Sequence, residues 1–227
     1  DDKTIWFHAA SLGEYEQGLP VMEAVKQYYP NHKIVLTFFS PSGFEVRKNN
    51  SIADVTVYLP LDTLSNAKQF VQLVHPEKVF FIKYEYWPNY LNELKKQEIK
   101  TYLISGIFRE KQAFFKWYGA FYRNALKTFD YFFVQNESSK KLLQSIGFNN
   151  VKVSGDTRFD RVIENKQTLE QNPRIETFLK GEKAIIIGSS WPEDEAIVIP
   201  FILQNPNKKF IIAPHNIDET HVNSIEA

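Results

Sequence analysis

The sequence predicts a doubly wound α/β domain, in which helices cover both faces of a parallel β-sheet. Short runs of β-branched and aromatic residues alternate with helical patterns along the chain. Several of these runs are apolar on both faces, as is typical of parallel strands buried between helices. With 43% hydrophobic and 15% aromatic residues, the chain also carries enough apolar surface to form a sizeable core.

The first part of the chain contains the strand-like runs of one complete sheet. They cover residues 4–9, 33–39, 54–59, 78–83, 100–105, 130–135 and 151–154. The helical patterns between them cover residues 16–28, 63–74, 88–97, 112–127 and 137–146, with a weaker one over 43–48. A regular alternation of strands and helices predicts a Rossmann-like domain.

After Asp160 the alternation lapses into a polar stretch over 164–176. It resumes with a strand over 184–190, a helix over 192–204 and a strand that ends at Pro214. We therefore predict two domains, of which the second is only begun: residues 1–163, a linker over 164–180, and residues 181–227.

Composition argues against several classes of function. The chain has 27 Lys and Arg residues and 27 Asp and Glu residues, so its charges balance. No overall positive charge therefore indicates a nucleic-acid partner. The absence of cysteine excludes disulfides and thiolate metal sites and fits a reducing compartment. The five histidines form no HExxH motif and no close pair, so we expect no metal site.

The residues that follow each strand are the candidates for function, because open parallel sheets bind ligands at the carboxyl ends of their strands. After the first strand comes Ser-Leu-Gly-Glu, at residues 11–14. Ser-x-x-Glu is a capping-box pattern, in which Glu14 would accept a hydrogen bond from the backbone of Ser11. In that interpretation Glu14 only stabilises the start of a helix.

Pro20 argues against a helix that begins at Ser11, because proline is unfavourable in a helix interior. If the helix begins near Glu16, Glu14 faces the crevice as a candidate general base, and Gly13 allows close approach of a ligand. We expect a glutamate near a helix N-terminus to stay ionised at neutral pH.

Lys83 and Glu85 follow the fourth strand, and Trp87 and Pro88 open the next helix. Two opposite charges at a strand end suit a polar ligand, but they equally suit pairing with neighbouring parts of the chain. The sequence leaves both interpretations open.

The segment 107–127 is rich in aromatic and basic residues. Seven aromatic residues and five Lys or Arg residues, among them Arg109 and Lys116, accompany a single Glu. A basic aromatic amphipathic helix suits a membrane interface or a phosphorylated lipid. The alternative is a helix that packs on the sheet and exposes a solvated basic edge.

In the second part, residues 188–194 read Gly-Ser-Ser-Trp-Pro-Glu-Asp. We predict Ser190 as the N-cap of the following helix, with Pro192 in the first turn and Glu193 completing a capping box. The turn around Ser189 can cradle a phosphate with its amides, although the acidic residues that follow oppose an anion.

Taken in order, these strand-end motifs resemble those of bacterial Kdo transferases, glycosyltransferases that add 3-deoxy-D-manno-octulosonic acid (Kdo) to lipid A precursors. The resemblance covers nearly the whole chain. It rests on IWFHAASLGE from residue 5, EYWPN from residue 85, SGDTRFD from residue 154, GSSWPEDE from residue 188 and IAPH from residue 212. It implies a GT-B fold of two Rossmann-like domains, the first binding the acceptor and the second binding most of CMP-Kdo.

By this resemblance Glu14 matches the general base and Glu85 a carboxylate of the Glu-x-Trp-Pro-Asn motif. We expect the acceptor to be bound by Ser11, Gly13, Lys83, Glu85, Arg109 and Lys116. We expect the donor to be bound by Asp156, Arg158, Ser189, Ser190 and His215. The sequence departs from the family at Lys83, where many members carry a glutamate, and at Asp156, Arg158 and His215.

The resemblance also implies an inverting, metal-independent transfer with no cofactor besides the donor CMP-Kdo. It places the enzyme on the cytoplasmic face of the bacterial inner membrane, with an anchor upstream of Asp1. We expect the 227-residue chain alone to be inactive, because the donor site is divided between two domains. Two alternatives are another GT-B nucleotide-sugar enzyme, such as a 2-epimerase, and a non-catalytic α/β ligand-binding module in which Glu14 is only a cap.

Overall fold

A computed structural model describes residues 2–49, 52–168 and 172–226 of the chain. The chain divides into two compact units, Asp1–Gln167 and Thr168–Ala227. The predicted linker is largely helical, because it contains the end of one helix (α7, Arg158–Thr168) and the whole of the next (α8, Pro173–Leu179). Residues 169–171 of that linker lie outside the described residues.

A parallel sheet forms the centre of the first unit. Within the described residues its strands run in the spatial order β3-β2-β1-β4-β5-β6-β7. Their bounds are β1 Thr4–Ala9, β2 Lys33–Phe38, β3 Val55–Tyr58, β4 Pro76–Ile82, β5 Lys100–Gly106, β6 Tyr131–Val134 and β7 Val151–Val153. Each strand predicted for this unit is present, and the predicted doubly wound α/β fold is confirmed.

Helices cover both faces of this sheet. Those before α7 are α1 Leu12–Tyr28, α2 Pro41–Arg47, α3 Leu64–Val74, α4 Pro88–Lys96, α5 Ala120–Leu126 and α6 Glu137–Ser145. Successive side chains of a strand point to opposite faces. Ile5 and Phe7 of β1 therefore join one hydrophobic cluster, whereas Trp6 joins the other and packs against Phe70 and Tyr90.

Helix α1 begins at Leu12 and not near Glu16, so Pro20 lies inside it. An interior proline costs about 3 kcal/mol because it removes a backbone hydrogen bond. The apolar side chains that α1 buries include Tyr15, Leu19 and Met22. Burial of a large apolar side chain contributes roughly 1.5–3 kcal/mol, so together they outweigh the proline.

The continuous helix predicted over 112–127 is wrong. The chain instead forms a 3₁₀ turn at Ala113–Phe115 and begins α5 only at Ala120. Gly119 lies so close to the turn that a Cβ there would be 1.9 Å from the Ala113 carbonyl oxygen. Arg123 then donates hydrogen bonds to the carbonyls of Phe114 and Lys116 at 2.9 and 2.8 Å. The helical spacing of apolar residues does not predict this reversal of the chain, because the reversal depends on the contact between Gly119 and the 3₁₀ turn.

The second unit contains a parallel strand pair with helices. Its elements after α8 are β8 Ala184–Ser190, α9 Pro192–Leu203, β9 Lys209–Pro214 and α10 Glu219–Glu226. The predicted strand–helix–strand order is therefore present.

The capping arrangement predicted for α9 is wrong. Ser190 still belongs to β8, and its carbonyl accepts a hydrogen bond from the His215 backbone N–H at 2.9 Å. Trp191 is the N-cap residue, and the Asp194 carboxylate, in place of that of Glu193, accepts from the Trp191 N–H at 3.0 Å.

Candidate active site

The candidate active site lies where β1 and β4 end side by side in the sheet. The chain winds outward from β1 through β2 to β3 and then returns to β4 on the other side of β1. Open α/β sheets bind ligands at such a switch point, outside the carboxyl ends of the strands. Glu14 in the first turn of α1 follows β1, and Glu85 follows β4.

The carboxylate of Glu14 is held at the start of its own helix. Its Oε2 accepts a hydrogen bond from the backbone N–H of Ala10 at 2.6 Å, and the backbone N–H of Ser11 also contributes a hydrogen bond. Ser11 is the N-cap residue, but its side chain makes no reciprocal capping bond. Glu14 therefore does bond its own backbone, as the capping interpretation predicts, although the capping box is incomplete.

The pKa of Glu14 is raised from 4.5 to about 7, first by burial and then by the negative charge of Glu85. The Ala10 N–H, Lys83 and the Ser11 N–H lower the pKa without compensating for these effects. The expectation that Glu14 stays fully ionised at neutral pH is therefore wrong. The side chain has lost most of its hydration, and together with a like charge this outweighs the helix dipole.

Two ring nitrogens lie within hydrogen-bond distance of one carboxylate oxygen of Glu85. His8 Nε2 lies 3.0 Å from Glu85 Oε2, and Trp87 Nε1 donates to the same oxygen at 2.5 Å. His8 is fully buried in β1, and its Nδ1 lies 2.8 Å from the hydroxyl of Thr37 in β2. Glu85 thus pairs with neighbouring parts of the chain, one of the two interpretations that the sequence left open.

Sequence reasoning missed His8 and Thr37. Each is a polar residue inside an otherwise apolar strand, and the two are register partners across β1 and β2. Buried polar side chains need hydrogen-bond partners. Polar residues within two adjacent apolar runs were therefore a signal in the sequence, although only the strand pairing shows that they meet.

Lys83 and Arg109, two of the predicted acceptor-binding residues, meet around Tyr84. Lys83 has a φ of 69°, a left-handed conformation that costs a non-glycine residue about 1–3 kcal/mol. Its Nζ lies 5.0 Å from the centroid of the Tyr84 ring, and the Arg109 guanidinium carbon lies 5.8 Å from it. Arg109 also donates to the Tyr84 hydroxyl at 3.3 Å. Sequence reasoning did not identify Tyr84.

Gly13 is exposed in the first turn of α1, beside Glu14. A Cβ at Gly13 would meet no protein atom within 4 Å. The packing of the chain therefore does not require glycine here, whereas a ligand that approaches the backbone closely would.

Lys116 lies beside a set of exposed aromatic side chains, which we call the aromatic surface: Trp117, Tyr118, Phe121 and Tyr122. Trp117 is 91% exposed, whereas Phe108 and Phe114 of the same segment are buried. The segment therefore both packs on the sheet and presents aromatic rings to solvent.

The predicted donor-binding residues are divided between the two units. In the first unit, Arg158 Nε donates to both carboxylate oxygens of Asp156, at 3.0 and 2.9 Å, and this bond lowers the pKa of Asp156. In the second unit, Ser190 donates to Glu195 Oε1 at 2.8 Å, Ser189 has a φ of 55°, and His215 stacks on Trp191.

The described residues contain neither a cluster of metal ligands nor a membrane-spanning helix. No group of three or more acidic or imidazole side chains there is arranged to hold a metal ion. No helix in the described ranges is long and apolar enough to cross a bilayer.

Comparison with known proteins identifies the family. The sequence model of 3-deoxy-D-manno-octulosonic-acid transferases matches residues 1–161. The chain belongs to the Kdo transferase family. The resemblance that the strand-end motifs indicate is thereby confirmed.

Curated Kdo transferases match most of the chain. That of Rickettsia bellii is 27% identical over 213 residues, which are 91% of this chain and 49% of the relative. That of Chlamydophila psittaci is 26% identical over 223 residues, which are 95% of this chain and 51% of the relative. The chain thus spans about half the length of the Kdo transferases that it matches.

Solved structures similar to this Kdo transferase chain confirm its GT-B fold. UDP-GlcNAc 2-epimerase from Neisseria meningitidis superimposes with a TM-score of 0.71 at 15% identity, over 98% of this chain and 68% of that one. MurG from Acinetobacter baumannii gives a TM-score of 0.51 at 11% identity, over 99% and 71% of the two chains. At such identities the similarity concerns the fold alone.

Proposed function

We propose that this chain carries the acceptor-binding half of an enzyme that transfers Kdo from CMP-Kdo to a lipid A precursor. Glu14 acts as the general base. It takes the proton of an acceptor sugar hydroxyl as that oxygen attacks the anomeric carbon of Kdo. The bond from this carbon to the phosphate oxygen of CMP breaks, CMP leaves, and the configuration inverts. No metal ion takes part.

The position of Glu14 at the carboxyl end of β1, together with its raised pKa, carries this proposal. A general base is most effective when its pKa lies near the working pH, and the pKa of Glu14 is about 7. A glutamate that served only as a helix cap would gain from being fully ionised. The raised pKa destabilises that charge, as is common at sites where proton transfer occurs.

Two cationic side chains that follow β4 and β5 suit an acceptor that carries phosphate. Lys83 and Arg109 share the Tyr84 ring, and among the described residues no carboxylate lies within 4 Å of either cationic group. We propose that these two groups bind a phosphate of the acceptor. Ser11 and Gly13 line the approach to Glu14.

On the donor side, we propose that Asp156 and Arg158 in the first unit, together with Ser189, Ser190 and His215 in the second, contact CMP-Kdo. The resemblance to Kdo transferases supports this assignment.

We further propose that the aromatic surface and its neighbouring cations contact the cytoplasmic surface of the inner membrane. Aromatic rings favour the membrane interface, and each nearby Lys or Arg contributes about 1 kcal/mol on an anionic surface. Replacing Arg109, Lys111 and Lys116 by Gln should therefore weaken binding of the chain to phosphatidylglycerol vesicles roughly 100-fold.

Co-sedimentation measures this binding. The matched control replaces Lys68, Lys95 and Lys96, which lie on α3 and α4, and should bind like the unmodified chain. Equal binding by both triple variants would count against the proposed membrane contact.

The transfer reaction itself is tested with the full-length protein, radiolabelled CMP-Kdo and a tetra-acylated lipid A precursor. We expect label in the lipid product and release of CMP in the presence of a metal chelator. Epimerisation of UDP-GlcNAc without Kdo transfer would favour the 2-epimerase alternative. Binding without turnover of either substrate would favour a ligand-binding module.

A further inference from the structure

A chain of hydrogen bonds runs beneath the candidate active site from β2 through β1 to Glu85. Trp6 Nε1 lies 2.8 Å from Thr37 Oγ1, and Thr37 Oγ1 lies 2.8 Å from His8 Nδ1. His8 Nε2 lies 3.0 Å from Glu85 Oε2. Trp6, His8 and Thr37 are fully buried, so bulk water does not compete for these hydrogen bonds.

The direction of each hydrogen bond follows from the donors available. An indole N–H only donates, so Thr37 accepts from Trp6 and Glu85 accepts from Trp87. A carboxylate only accepts, so His8 Nε2 must carry a proton.

The single proton of the Thr37 hydroxyl has two acceptors within reach, His8 Nδ1 at 2.8 Å and the Phe7 carbonyl at 3.4 Å. With this proton on the shorter contact, to Nδ1, His8 is a neutral ring that carries its proton on Nε2.

We propose that His8 is a positioning residue for Glu85: its Nε2–H, held in that tautomer by the Thr37 hydroxyl, fixes the Glu85 carboxylate against Trp87 and beside Glu14. Both donors reach Oε2, and none of the described residues donates to Oε1. Oε1 is therefore the oxygen of Glu85 that remains for substrate.

This fixed charge acts on Glu14, and its consequence for catalysis rests on the proposed function. The charged groups that face Glu14 are Glu85, which raises its pKa, and Lys83, which lowers it. Both come from the end of β4. Without His8, only Trp87 would hold the Glu85 carboxylate, which could then turn away from Glu14 into solvent. That movement would remove the like charge and lower the pKa of Glu14.

The first test is the tautomer of His8 in the 227-residue chain, read from the ring ¹⁵N shifts at pH 7.5. The resonance is assigned by its absence in His8→Gln. We expect a protonated Nε2 and an unprotonated Nδ1. A protonated Nδ1, with or without a proton on Nε2, overturns the proposal. The tautomer itself is read from the unmodified chain.

The second test compares His8→Gln with His8→Asn. The Gln amide nitrogen reaches the position of Nε2 and can still donate to Glu85, whereas the shorter Asn cannot. The titration of Glu14 is followed by carboxyl ¹³C shifts and assigned with Glu14→Gln. We expect a midpoint near that of the unmodified chain in His8→Gln and about 1 pH unit lower in His8→Asn.

Equal midpoints in the two variants would show that His8 is merely structural. Neither test uses a donor or acceptor sugar. Absence of Kdo transfer would therefore contradict the proposed function without affecting the role of His8. Conversely, failure of the tautomer or titration test would contradict the role of His8 without affecting the proposed function.

Discussion

Replacing Glu14 by glutamine in the full-length protein is expected to lower kcat for Kdo transfer by roughly 10²- to 10⁴-fold. Glutamine matches glutamate in size, and its amide oxygen can still accept the hydrogen bond from the Ala10 N–H. It cannot take up the proton of the attacking hydroxyl. Because that proton moves only in the transition state, kcat and kcat/KM should fall together, with KM little changed.

Glu23→Gln is the matched control, because Glu23 lies in the same helix, away from the carboxyl end of β1. This variant should turn over like the unmodified protein. The unmodified enzyme should also lose kcat/KM tenfold per pH unit below pH 7, because protonated Glu14 is inactive. Turnover of Glu14→Gln at the unmodified rate would exclude Glu14 as the base.

At pH 8 the same substitution is expected to raise the free energy of unfolding of the 227-residue chain by about 3 kcal/mol. The folded-state pKa of Glu14, about 7, lies above its ordinary value of 4.5. Between these values the folded chain binds a proton that the unfolded chain does not bind. The stability due to protonated Glu14 is thus fully present below pH 4.5 and is lost as the pH rises through 7.

Glutamine does not titrate, so Glu14→Gln keeps that stability at pH 8. Near pH 4.5 its advantage should fall below about 1 kcal/mol. Urea unfolding at the two pH values, followed by tryptophan fluorescence, measures the difference, with Glu23→Gln as control. A loss of about 1 kcal/mol at pH 8 would instead identify Glu14 as a helix cap and contradict the raised pKa.

The two predictions concern one side chain and have opposite signs, which separates the base from the cap. A cap stabilises the fold, and its loss lowers stability. A buried base whose negative charge is destabilised lowers the free energy of unfolding. Replacing that base therefore raises the free energy of unfolding and lowers the activity. Together the measurements decide between the two interpretations that the motif Ser-x-x-Glu leaves open.

The boundaries of α1 and α5 depend on tertiary contacts, which a local sequence pattern does not contain. Pro20 predicts a late start for α1, yet burial of Tyr15, Leu19 and Met22 keeps the first turn helical. The aromatic pattern of 112–127 predicts one helix, yet the fold-back at Gly119 divides it. In both cases tertiary packing outweighs local propensity.

Local patterns in the sequence predicted the strands of the sheet, their parallel arrangement, the burial of most of them, and the position of Glu14 and Glu85 after two of them. These features follow from local periodicity and from the apolar character of each run. The family resemblance likewise rested on motifs that are short and contiguous.

The assembled fold was needed to show that β4 lies beside β1 and that His8 contacts Thr37 beneath Glu85. Strand order is a long-range property, which no local pattern encodes. The pKa of Glu14 depends on burial and on distances through space to groups that are remote in sequence, so it exists only in the assembled sheet.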